Sequence, residues 1–183
     1  MKTVLKILLP MLLGMLMTAT CGAQDNAQPA KFEISYDSDK DRTTVRLVTT
    51  QIAGEQGKYK SLSMSPSFSF PGKSLLKPPE IIDFELRSVV NLKLLSTDLY
   101  VVFVIDGEEV FLSSSRWAIK RPVPGRVWVG EGFIFRMPYE TFVKITKAKT
   151  LTLKFDAVEF PVSEVHLQML RDFLQATQPT GSL

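Results

Sequence analysis

The dipeptide Asp106-Gly107 constrains this chain more than any other feature, because of what stands on either side of it. Residues 99–105 form a near-continuous apolar run, and residues 110–112 return as apolar after Glu108 and Glu109. Two such runs joined by Asp-Gly predict a β-hairpin closed by a type I′ turn, which needs positive φ at both central residues. A hairpin is marginal alone, so the rest of the chain must supply further strands and a layer to cover its apolar face.

Those strands are legible on both sides. Phe32, Ile34 and Tyr36 alternate with polar residues, and after a charged turn Val45, Leu47 and Thr49 do the same. Residues 54–57 punctuate, and weaker strand signals follow at 59–64 and 68–70 before Pro71, Gly72, Pro78 and Pro79 interrupt. Ile82, Phe84 and Leu86 alternate with Asp83, Glu85 and Arg87, which predicts a strand with one buried and one wet face. Residues 127–129 and 133–135 read as two strands, with the glycine-flanked 130–132 turning between them.

The last fifty residues change character. Pro138 is suited to open a short helix whose apolar stripe is Phe142, Ile145 and Ala148. Leu151, Leu153 and Phe155 then alternate as a strand, and Val158 and Phe160 return. Ser163 is placed to cap a final helix with Glu164 in its first turn. Val165, Met169 and Phe173, beside Leu167, Leu170 and Leu174, give that helix a broad apolar face. The expected fold is mainly β (α+β): an antiparallel β-sandwich or open barrel with a short helix and a C-terminal amphipathic helix packed on the sheet. No internal repeat or low-complexity tract divides it, so residues 32–176 read as a single β-rich domain, with 177–183 as a tail.

The N-terminus carries a different message. Lys2 and Lys6 precede an apolar run over 7–17, and small residues surround Cys21. This is the pattern of a cleavable signal peptide over 1–23, and the run falls short of the roughly 20 residues of a membrane-spanning helix. Cleavage after Ala23 starts the chain at Gln24, with 24–31 as a flexible lead-in. Lipidation of Cys21, as in bacterial lipoproteins, is the alternative, although Thr18, Ala19 and Thr20 replace the usual Leu and small residues before such a cysteine. The expected location is periplasmic or secreted, or lipid-anchored to the membrane through Cys21.

Two of the 22 basic residues and none of the 19 acidic ones lie within 1–23, so residues 24–183 carry 20 against 19, a formal charge of +1. That balance speaks against nucleic acid as a partner, since such binding rests on many uncompensated cations. Cys21 is the only cysteine, so no internal disulfide, zinc thiolate or thiol nucleophile is expected in the domain. The domain must hold itself by packing, which about 160 residues allow.

The order of these segments resembles small exported bacterial proteins of uncharacterised function. The likeness is carried by Tyr36-Asp37, Thr43-Thr44-Val45, Pro78-Pro79 before Ile82-Asp83-Phe84, Val104-Ile105-Asp106-Gly107 and Phe160-Pro161-Val162-Ser163. It spans roughly residues 32–175 and implies no catalytic residues, which favours a non-enzymatic envelope or secreted protein.

No cofactor or metal is expected. Asp37, Asp39 and Asp41 have the spacing of a calcium loop, but Arg42 stands where its glycine belongs and Val48 where its bidentate Glu belongs. They read as a solvated hairpin tip. His166, the only histidine, has no Ser or Asp spaced to orient it and reads as a surface or partly packed residue. Glu108 and Glu109 are adjacent on a strand, so they face opposite ways and cannot work as an acid and base pair. No nucleophile elbow, P-loop or dinucleotide-binding glycine pattern is present.

The candidate binding patch runs from Arg116 to Trp128. It contains Arg116, Trp117, Lys120, Arg121, Arg126 and Trp128, and Pro122, Pro124 and Gly125 mark it as a loop. Cations beside indoles suit an anionic envelope component; the plainer reading is that both indoles anchor strand ends in the core. The chain is therefore expected to bind or support an envelope component or another envelope protein. The alternative is a hydrolase of an envelope polymer with carboxylate chemistry, which requires a pocket lined by two acids from different strands, one with a raised pKa.

Overall fold

The hairpin forms as its sequence predicts. In the computed structural model, which describes residues 30–57, 59–91, 101–112, 114–119, 128–155 and 158–179, strands β6 (Val101–Ile105) and β7 (Glu108–Phe111) pair antiparallel. Asp106 and Gly107 between them take φ of 49° and 87°, as a type I′ turn requires. Asp106 also reaches outside its turn: its carboxylate accepts hydrogen bonds from the backbone N–H groups of Lys149 and Thr150 at 2.9 and 2.8 Å. These bonds hold its pKa below the ordinary value of 3.8. A depressed carboxylate adds stability that is complete above the unfolded-state pKa and is lost as pH falls through the folded one. Asp106→Asn keeps an acceptor and tolerates positive φ without titrating. Acid denaturation should therefore show the stability gap between wild type and this variant closing as pH drops below 3.8; a gap that stays constant with pH would refute the role of the charge.

Around the hairpin the chain builds two antiparallel sheets, so the sandwich is the architecture adopted and no barrel closes among the described residues. The smaller sheet has the order β11-β10-β6-β7, with β10 at Leu151–Phe155 and β11 at Val158–Val162. The larger has the order β1-β2-β4-β5-β9-β8, with β3 also paired to β4. Its strands are β1 (Phe32–Asp37), β2 (Arg42–Leu47), β3 (Thr50–Ala53), β4 (Tyr59–Pro71), β5 (Ile81–Asn91), β8 (Ser114–Ile119) and β9 (Trp128–Pro138).

Three strand boundaries differ from the sequence reading, each for a reason visible in the pairing. The runs read at 127–129 and 133–135 fall, from residue 128 on, in one strand: Gly130 pairs with Val89 and Ile119, and Gly132 with Arg87 and Trp117. With neighbours on both sides, the ladder overrides the turn preference of the glycines. The signals at 59–64 and 68–70 likewise merge into β4, and Pro66 stands where its edge partner changes from β3 to β2. A proline costs a strand least at such an interruption. The strand of Val45 and Leu47 ends before Thr49, and Thr50–Ala53 forms β3, a strand the alternation did not announce.

The core is aromatic. Phe103 of β6 packs edge-on against Phe84 of β5 and Phe135 of β9, with centroids 5.6 and 5.2 Å away, and so joins the two sheets. Tyr59, Phe133, Phe155 and Phe160 form a second such contact between the layers. A further part of the large sheet is covered by helices α1 (Tyr139–Lys147) and α2 (Glu164–Ala176). Phe173 of α2 meets Phe142 of α1 at 5.9 Å and Phe68 of β4 at 5.7 Å. Leu167, Leu170 and Phe173 are the buried line of α2, while Val165 and Met169 lie at its half-buried flank.

Both helices are tied down by polar contacts. Arg171 of α2 donates through Nε to the Thr146 carbonyl at 3.0 Å and through Nη2 to that of Ala148 at 3.3 Å. These are carbonyls that the end of α1 leaves without helical partners. Ser163 occupies the N-cap position as expected, but its hydroxyl lies 2.8 Å from His166 Nδ1 and makes no capping bond to the backbone. Burial lowers the His166 pKa, against a smaller raising effect of the Gln51 backbone. Among the described residues no helix is long and apolar enough to cross a membrane.

Candidate functional site: a groove beneath residues 72–80

The outer face of the large sheet, away from the core, is polar, and the register assembles it. Glu33, Arg46, Ser67, Asp83 and Arg136 stand opposite one another in turn across β1, β2, β4, β5 and β9. Residues this far apart in sequence become a row only through strand pairing. Glu85, expected on the same wet face, is 7% exposed. Arg87 makes this burial tolerable by binding both its carboxylate oxygens, at 2.8 and 3.1 Å.

At one end of this face the connection 72–80 folds over the sheet and leaves a groove of about 540 Å³. Its polar wall includes Arg42, Lys77, Asp83 and Arg136, and its apolar wall includes Pro71, Leu76, Pro78 and Pro79. Gly72, at φ 69°, turns the chain out of β4, and its N–H donates to the Asp41 carbonyl at 2.8 Å. Leu75 anchors the connection in the core, leaving Leu76 87% exposed at the lip. At the far end the Tyr139 N–H donates to the Glu80 carbonyl at 3.0 Å. Two consecutive prolines stiffen the segment between these ties.

The cations of the groove differ in how far they are neutralised. Lys77 pairs with Glu80 at 2.8 Å; this bond raises the lysine pKa and lowers that of the carboxylate. Arg136 stands 4.0 Å from Asp83, and Arg42 makes no ion pair among the described residues. An arginine presents a planar fork that matches a carboxylate or phosphate. The groove thus offers two forks beside an apolar wall. Its acids, Glu80 and Asp83, come from one stretch of chain rather than from two strands, and the shifted one is lowered. Carboxylate hydrolysis calls for the opposite arrangement.

The other sequence candidates fall as follows. Arg116 and Trp117 are not in a loop: they occupy consecutive positions of β8, opposite Phe133 and Gly132, and Trp128 opens β9 opposite Asn91. The sequence reading took the prolines and Gly125 as setting the structure of the whole stretch, whereas strand pairing claims both of its ends. Lys120, Arg121 and Arg126 lie outside the described residues, as do Cys21 and all of 1–29. The acidic tip is a hairpin turn in which the Asp37 carboxylate accepts from the N–H groups of Asp39 and Lys40 and pairs with the Lys40 ammonium at 3.1 Å. Among the described residues no group of His, Cys, Asp and Glu could hold a metal ion. Glu108 and Glu109 part as expected, Glu108 to Lys144 of α1 at 2.7 Å and Glu109 to Lys154 of β10 at 2.9 Å.

No protein-family model, curated protein or solved structure matches this chain. The reading of its function therefore rests on its own geometry.

Sequence reasoning noted Arg42 only as a misfit to a calcium loop at the hairpin tip and did not single out Arg136. The one advance signal was Pro78-Pro79 immediately before a strand with a charged face, which marks a stiff crossing over that face.

Proposed function

We propose that this chain is a non-catalytic binding domain that works in the cell envelope or beyond it and holds an anionic envelope component in the groove beneath residues 72–80. The observation that carries the reading is the pair Arg42 and Arg136, facing an apolar wall in a groove whose covering segment is pinned at both ends. Its volume falls in the range of small-ligand sites. Arginine forks select carboxylates, and the consecutive prolines with Leu76 suit the apolar face of a sugar or a short peptide. A carboxylate-bearing fragment of the cell wall meets both demands. The signal-like segment 1–23 supports the envelope address, and intact mass is expected to place the N-terminus of exported material at Gln24, with lipid-bearing Cys21 as the opposing result.

The test is titration with soluble cell-wall fragments, followed by co-sedimentation with insoluble cell wall. Reversing both charges, with Arg42→Glu and Arg136→Glu, should weaken binding at least about tenfold, the effect of losing 1.4 kcal/mol of ion pairing. Both side chains are exposed, so the fold should persist. The triple variant Arg116→Ala, Trp117→Ala, Arg121→Ala is the control for the other cationic patch. Binding that survives the charge reversal and disappears in the triple variant would move the site to that patch.

A further inference from the structure

Among the described residues, the first strand is an unprotected edge. β1 pairs with β2 alone among the described residues, and its opposite edge ends the large sheet. Its residues Phe32, Ile34 and Tyr36 stand opposite Leu47, Val45 and Thr43, which are buried, so they lie on the core face of the sheet. They are nevertheless 38%, 72% and 42% exposed. The sequence predicts a covered face here, and the helical layer stops short of most of it: Phe32 reaches Phe173 of α2 at 6.1 Å, and beyond it Ile34 is left 72% exposed.

Edge strands of soluble proteins are ordinarily blunted by prolines, bulges, inward charges or shortness. At both edges of the smaller sheet that rule holds, since edge strand β11 carries Pro161 and edge strand β7 is four residues long with two glutamates. β1 has six residues in continuous register, no proline, and charges only at Glu33 and Asp37 on the outer face. Its C-terminal end is also tied to neighbouring turns. The Tyr36 hydroxyl donates to the Asp41 carboxylate at 2.8 Å, and the Lys73 ammonium sits 4.8 Å from the centre of the Tyr36 ring.

We propose that β1 is a self-association surface, and that a second copy of this chain pairs with it antiparallel about a two-fold axis through Ile34. The charges select this register. With Ile34 opposite Ile34 of the second copy, Phe32 meets Tyr36, Glu33 meets Ser35, and Lys31 meets Asp37 at both ends. Moving the axis to Glu33 sets two glutamates face to face, and moving it to Ser35 sets Glu33 against Asp37. Like charges directly opposite are destabilising, whereas opposite charges and aromatic pairs stabilise. The axis at Ile34 alone pairs the whole strand with apolar residues on one face, no like-charge opposition and a complementary charge at each end. Such a contact is isologous and closed, so it yields a dimer rather than a fibre.

Sedimentation equilibrium on the chain as recovered from expressing cells tests this. The wild type should associate to a dimer, and Ile34→Lys should weaken association at least about tenfold by placing two ammonium groups at the axis. Lys31→Glu and Asp37→Lys should each weaken it, and the two together should restore it, because the exchange recreates the end pairs with reversed sign. The exchange guards against a folding defect, since a misfolded single variant would not be rescued. A wild type that is monomeric at every concentration overturns the proposal. So does a dimer that Ile34→Lys leaves intact, or one that the charge exchange does not restore.

Discussion

Replacing Phe103 with alanine should lower the free energy of unfolding by about 3–5 kcal/mol, the range for a fully buried phenylalanine. Phe103 is one of the contacts through which the two sheets meet, edge-on to Phe84 and Phe135. It is fully buried, and its neighbours belong to paired strands, so the structure has little freedom to collapse into the space left. A domain of this size should lose roughly 6–20 °C of melting temperature, at 2–4 °C per kcal/mol. Urea denaturation followed by tryptophan fluorescence measures the loss. A cost below about 1 kcal/mol, typical of an exposed site, would mean that the sheets do not pack through this ring.

Phe173→Ala should cost a similar amount, about 3–5 kcal/mol, but distribute it differently. Phe173 is the ring by which α2 touches α1, β4 and β1 together. With it removed, α2 retains Leu167 and Leu170 as buried anchors and loses the one nearest its C-terminal end. Hydrogen exchange should therefore speed up in α2 and α1 more than in β6 and β10, because local opening follows local packing. Equal acceleration in the smaller sheet would show that the helices and the sandwich open as one unit.

These two rings also show what was readable in advance. Phe103 lies in the densest apolar run of the chain and Phe173 in a helical stripe, so both were legible as core from spacing alone. The alternation of Leu151, Leu153 and Phe155, and of Ile82, Phe84 and Leu86, likewise reports burial correctly, because a strand packed on one face has no other way to sort its side chains. Local preference failed where a residue's surroundings are set by strands distant in sequence. Gly130 and Gly132 looked like a turn and form part of a doubly paired strand. Phe32, Ile34 and Tyr36 carry the pattern of a covered strand, yet α2 meets the row at Phe32 and leaves Ile34 72% exposed. Glu85 looked wet and is buried against Arg87.

The groove belongs to the same class of illegible feature. Arg42 and Arg136 are 94 residues apart, and nothing in the composition of either neighbourhood joins them. The strand order β2-β4-β5-β9 and the return of 72–80 over it create the site. The patch of Arg116, Trp117 and their neighbours was conspicuous in sequence because its residues are contiguous, and contiguity is a weak guide to convergence in a sheet protein.

The most direct measurement is hydrogen exchange of the whole chain with and without soluble, carboxylate-bearing cell-wall fragments, resolved by peptide. Occupation of the groove should slow exchange across 69–83 and around Arg136, and leave β10 and β11 unchanged. Protection confined to 114–131, or absent from 69–83 at fragment concentrations that saturate binding, would contradict the assignment of the groove as the binding site.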